Sequence, residues 1–104
     1  MTRDDGRELA ELARVFSGYL HEDFAAEHGS PAAALRAYRG DASAPEWRRF
    51  RREARRLITI AASGDFDRTR ALLERLGSRW SPPSPEALIT VLRDALDLPR
   101  PPTG

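Results

Sequence analysis

The chain has 104 residues, enough for one folded domain and too few for two. It contains no cysteine, which excludes disulfides and thiol catalysis, and no apolar run approaching the roughly 20 residues of a membrane-spanning helix. Because its first residues also lack the apolar core of a signal peptide, we expect a cytoplasmic protein with no membrane partner.

The charges are unevenly distributed, although the net charge is only +1. Residues 1–30 contain three arginines and seven acidic residues, whereas residues 31–64 contain eight arginines and three acidic residues. Residues 65–104 contain six of each, and all 17 basic side chains are arginine. The near-neutral total argues against a dedicated nucleic-acid-binding protein. The distribution predicts an acidic first third and a basic middle.

Apolar residues recur at helical spacing in five segments bounded by proline, glycine or capping residues. Ser30, Ser43 and Asp65 are predicted N-caps, and Gly40 and Gly77 are predicted to follow helix ends. The predicted helices run approximately over residues 7–24, 31–39, 44–62, 66–76 and 84–96.

These elements predict an all-α protein, a compact antiparallel bundle of four to five helices, because the loops between them are short. Residues 1–98 are expected to form a single helical domain, and the proline-rich residues 99–104 a disordered tail. The predicted core residues are Leu12, Phe16, Trp47, Phe50, Leu57, Ile58, Leu72, Leu76, Leu88 and Val91.

The sequence contains no pattern typical of a catalytic, cofactor or metal site, so we expect a protein that is not an enzyme and needs no cofactor. His21 and His28 lie near acidic residues but belong to no recognised ligand spacing. No serine occurs in a nucleophile elbow, and no glycine-rich phosphate loop is present.

Six arginines cover the side of the third helix opposite its apolar residues, within residues 48–56. They could form a solvated face that pairs with the acidic first helix or locally with Glu46 and Glu53. They could instead bind a partner protein, or contact nucleic-acid phosphates. The aromatic residues Trp47 and Phe50 are expected to point inward, away from this face.

Asp23 is unusual because a first helix extending to Phe24 would place its carboxylate within the apolar arc. An unpaired carboxylate buried in that position would lower the stability of the folded protein. Asp23 could be a structural cap near a bend or end of the helix, or it could contribute to partner binding.

The segment Tyr19-Leu20-His21-Glu22-Asp23-Phe24, followed by Gly29-Ser30-Pro31, resembles the helical CdiI-type immunity proteins of contact-dependent growth inhibition systems. The Trp80–Pro83 stretch and the last helix are also similar to that family, so that the resemblance covers about residues 9–97. Leu20, Glu22 and Phe24 replace an aromatic residue, glutamine and tryptophan that are usual there. The resemblance implies binding of a cognate toxin domain, typically a nuclease, at the C-terminus of a large surface-delivered protein.

A nuclease cleft is usually positive, and an inhibitor would offer complementary acidic groups. The expected toxin-binding residues are therefore His21, Glu22, Asp23 and Glu27, at the acidic end of the first helix. These acids could instead pair with the arginine face of the third helix inside the monomer. The alternative function is a small arginine-rich helical regulator that binds nucleic acid, a partner that the net charge disfavours.

Overall fold

The computed structural model describes residues 9–21, 26 and 29–96. Within these residues the chain forms helices and loops with no strand, which confirms the predicted all-α fold. The helices with described bounds are α1 (Ala10–Tyr19), α2 (Pro31–Asp41), α3 (Ala44–Ala62), α4 (Phe66–Arg75) and α5 (Pro85–Ala95). The tail predicted to be disordered, residues 99–104, lies outside the described residues.

Side-chain caps set the starts of α2 to α5, because each cap satisfies an amide that the first helical turn leaves without a partner. The hydroxyls of Ser30 and Ser84 accept hydrogen bonds from amides three residues later, and so does the carboxylate of Asp65. Ser43 forms a reciprocal capping box with Glu46. The predicted caps of α2, α3 and α4 are thus confirmed.

α1 ends at Tyr19, five residues before its predicted end at Phe24. Gly18 lowers helix propensity in its last turn, and the backbone at Leu20 leaves the helical conformation, with φ −108° and ψ 41°. The carbonyl of Leu20 accepts a hydrogen bond from the amide of Arg79, at 2.8 Å. This long-range contact joins the end of α1 to the loop that follows α4.

The hydrophobic core is formed by all five helices, and α4 contributes Leu72 and Leu73 where it packs against α3. Seven predicted core residues are buried: Leu12, Phe16, Phe50, Leu57, Leu72, Leu76 and Leu88. Trp47, Ile58 and Val91 are only partly buried and pack against the edge of this core. α2 also continues through Gly40 to Asp41, past its predicted end, because the amide of Ala42 still bonds to the carbonyl of Tyr38.

The helices within the described residues are too short or too polar to cross a membrane. α3 is the longest of them and carries most of the charged side chains relevant to the surfaces below. One side of it faces α1 and α5, and the other faces solvent.

Candidate functional site

The predicted binding residues begin directly after α1, where the structure describes only one of them. His21 is partly buried and lies two residues beyond the last residue of α1. Glu22, Asp23 and Glu27 lie outside the described residues. Because α1 ends at Tyr19, the helical arc that would place the Asp23 carboxylate on the apolar side of this helix does not extend to Asp23.

The end of α1 is joined to the loop between α4 and α5, and we call this region the α1–loop junction (residues 17–21 and 77–80). The amide of Arg79 donates to the carbonyl of Leu20 at 2.8 Å. Gly77 adopts φ +86°, and a Cβ atom there would lie 2.9 Å from the Cβ of Ser17. Only glycine fits both the backbone conformation and the close approach. The junction therefore brings His21 and the Trp80 loop, two separate sequence features, to one region.

A groove of about 560 Å³ lies between α4 and the same loop. Phe66 and Trp80 are partly exposed aromatic residues in its lining. The Arg70 guanidinium lies 5.1 Å from the centre of the Phe66 ring and forms an ion pair of 2.6 Å with Asp67. The groove thus combines apolar walls with a charged rim, next to the junction.

A second surface lies on α3, where four exposed arginines follow one another along the solvent-facing side. We call this set the arginine stripe: Arg48, Arg51, Arg52 and Arg55. Within the described part of the chain, none of the four forms an ion pair. The predicted exposure of this face is confirmed. Of the two pairings considered for it, the one with the first helix occurs at Arg49, which lies 3.7 Å from Glu11, whereas within the described residues no ion pair joins the stripe to Glu46 or Glu53.

Glu53 faces the interior instead, with 5% of its surface exposed. Its Oε1 accepts a hydrogen bond from the amide of Leu12, at 2.9 Å, and the amide of Glu11 also donates to this carboxylate. α1 has no side-chain cap at its own N-cap residue, Leu9. A carboxylate from α3 thus caps α1. Burial raises the pKa of Glu53, partly offset by these two hydrogen bonds.

Glu11 is a second buried carboxylate, also 5% exposed. Its Oε2 accepts hydrogen bonds from the hydroxyl of Tyr38 at 2.8 Å and from Arg14 at 2.6 Å, and Arg49 lies 3.7 Å from its Oε1. Burial and the Glu11 hydrogen bond raise the pKa of Tyr38, and the same carboxylate raises the pKa of Arg14. These contacts connect α1, α2 and α3.

Glu46 completes the group of acids close to the arginine face. Its side chain accepts from the Ser43 amide at 2.8 Å and forms an ion pair with Arg14, at 3.1 Å. The backbone hydrogen bond from Ser43 lowers the pKa of Glu46. This acid therefore supports the start of α3 and the contact with α1, and it forms no ion pair with the arginine stripe.

Sequence reasoning missed the buried roles of Glu11 and Glu53. The position of Glu53 could have revealed its role, because it lies three residues after Phe50 and four before Leu57, on the buried side of α3. Glu11 stands beside Leu12 at the start of α1, where a carboxylate is also expected on the surface. Its burial depends on Tyr38 and Arg14, whose convergence is a tertiary property.

The described residues contain no group of three or more potential metal ligands.

A family model described as CdiI immunity protein matches residues 8–91 of the chain. The match includes the whole of α1 to α4, the α1–loop junction and the arginine stripe, and it confirms the resemblance found in the sequence. No curated protein and no solved structure matches the chain.

Proposed function

This chain belongs to the CdiI immunity protein family, and on that premise we propose that it binds and neutralises the C-terminal toxin domain of a contact-dependent growth inhibition system. The family match over residues 8–91 is the observation that supports this proposal. Immunity against such a toxin is the function that the family implies. The finer part of the proposal is that the protein acts in the cytoplasm by stoichiometric binding, without turnover, and that the toxin is a nuclease.

We place the primary contact at His21, Glu22, Asp23 and Glu27. A nuclease attracts phosphate, so its cleft is positive, and acids that enter the cleft would block it and speed association. The position of His21 in the α1–loop junction supports this assignment, because the segment continues from a helix end anchored by Arg79 and Gly77.

The test is co-expression with the toxin domain encoded directly upstream, followed by binding and activity measurements on the purified pair. We expect rescue of cell growth, a stoichiometric complex and loss of toxin activity, with no protection against unrelated toxin domains. A toxin that stays fully active with saturating protein would refute the proposed function.

Charge reversal locates the contact. Glu22→Arg with Glu27→Arg should weaken toxin binding and slow association most at low salt, while thermal stability changes little. The matched control is Glu86→Arg with Asp94→Arg, which makes the same charge change on exposed positions of α5. Equal affinity of the Glu22/Glu27 variant and the wild type would exclude this contact without excluding the immunity function.

A further inference from the structure

The arginine stripe on α3 has no role in holding the described fold together. All four side chains are exposed, and none forms an ion pair within the described residues. The side of α3 that packs on α1 and α5 is formed by other residues, among them Phe50, Glu53 and Leu57.

The described acidic residues that lie on α3, or that pair with one of its arginines, have other partners. Glu53 is buried and caps α1, Glu11 is buried against Tyr38 and Arg14, and Glu46 caps α3 and pairs with Arg14. Within the described residues these three carboxylates thus have partners other than the arginine stripe, and the four stripe residues form a patch of positive charge.

This arrangement is unfavourable for the isolated protein. Arg48 and Arg52 are four residues apart, as are Arg51 and Arg55, and each such like-charged pair destabilises a helix by about 0.2–0.5 kcal/mol. A partner of opposite charge would convert this repulsion into attraction.

We propose that the arginine stripe binds a carboxylate-rich surface on the cognate toxin domain, an inference that rests on the proposed immunity function. Arginine suits this contact, because its planar guanidinium can donate two parallel hydrogen bonds to one carboxylate. The stripe extends about 10 Å along α3 at 1.5 Å per residue, a length that a few carboxylates can match.

A protein surface fits the stripe better than nucleic acid for two reasons. The whole chain has a net charge of only +1, so it offers little long-range attraction to a polyanion. The aromatic residues of α3 are also turned away from the stripe, since Trp47 stacks on Phe50 with ring centres 5.3 Å apart and Phe50 is buried. They offer no platform for stacking bases.

The consequence is an interface with two signs of charge. Acids after α1 would face a positive cleft, and the arginine stripe would face a negative surface of the same toxin domain. Patches of opposite sign allow one docking orientation and penalise others, which makes the pair specific.

The experiment compares two double variants of the full chain. Arg51→Gln with Arg55→Gln removes two charges from the stripe, and Arg36→Gln with Arg75→Gln removes two from exposed positions of α2 and α4. Association with the purified upstream-encoded toxin domain is measured by stopped-flow fluorescence at low and high salt. We expect the stripe variant to associate about tenfold more slowly at low salt, with the difference lost near 1 M salt. The control variant should match the wild type.

The association rates and a duplex-binding measurement distinguish three outcomes. Equal association rates for the stripe variant and a toxin-binding wild type would overturn this inference and leave the immunity function intact. A wild type that does not bind the toxin at all would overturn both. Binding of a random 20-base-pair duplex, with a log–log salt slope of about −3.6 that falls to about −1.8 in the stripe variant, would assign the stripe to nucleic acid instead.

Discussion

The charged side chains on the two sides of α3 differ in their burial and in their partners. On the inner side, Glu53 is 5% exposed and accepts hydrogen bonds from the first turn of α1. On the outer side, the arginine stripe is exposed and lacks ion pairs within the described residues. The buried carboxylate of Glu53 thus has its hydrogen-bond partners inside the protein, whereas the arginine stripe has no ion-pair partner among the described residues and is available to another molecule. The difference separates residues that stabilise the chain from those that we propose for toxin binding.

The largest expected effect comes from the apolar centre of the inner side. Phe50 is fully buried, and its ring lies 5.1 Å from that of Tyr38 and 5.3 Å from that of Trp47. Phe50→Ala should lower the free energy of unfolding by about 3–5 kcal/mol, because it removes buried area and leaves a cavity. Urea denaturation followed by circular dichroism measures this loss.

Arg52→Ala is the matched control for Phe50→Ala, since it truncates a side chain on the outer side of the same helix. It should change the free energy of unfolding by less than about 0.5 kcal/mol. Comparable losses in the two variants would contradict the division of α3 into a stabilising side and a binding side.

An intermediate effect is expected at Glu53. Glu53→Leu would leave the amides of Leu12 and Glu11 without their acceptor, which costs about 1–3 kcal/mol of unfolding free energy. Glu53→Gln retains an acceptor oxygen without the negative charge near Glu11, and should stay within about 1 kcal/mol of the wild type. Urea denaturation at pH 7 distinguishes the two substitutions.

The pH dependence of unfolding gives an independent test of the same residue. Burial raises the pKa of Glu53 above its ordinary value of 4.5. Between pH 4.5 and this raised pKa, Glu53 therefore keeps a proton in the folded protein and has released it in the unfolded chain. Its contribution to stability should therefore fall as pH rises from about 4.5 through the raised pKa, and Glu53→Gln should lack this part of the profile. Identical pH profiles of wild type and Glu53→Gln would show that this carboxylate is not perturbed by burial.

Local sequence patterns predicted most of the helices, but they did not predict the contacts that Glu11 and Glu53 make between helices. The caps Ser30, Ser43 and Asp65 were predictable because each acts on amides within its own first turn. The end of α1 was not predictable in this way, because the residue that follows it, Leu20, is bonded to Arg79, which lies 59 positions away in the chain. Of the expected toxin-binding residues, only His21 lies within the described residues, so that assignment stays a prediction.

The smallest expected effect lies on the outer side of α3 and has the opposite sign. Arg51→Gln with Arg55→Gln removes a like-charged pair four residues apart and should raise the free energy of unfolding by about 0.2–0.5 kcal/mol at low salt. Because both side chains are exposed, added salt should screen the repulsion, so that the free energies of unfolding of variant and wild type become equal.

The control Arg36→Gln with Arg75→Gln should show no such gain, since Arg36 lies 2.9 Å from Asp94 and loses a weak surface ion pair instead. Thermal melts at 10 mM and 500 mM salt measure both differences. A clear loss of stability in the stripe variant would mean that the arginine stripe takes part in the fold after all, and its availability to a toxin would have to be reconsidered.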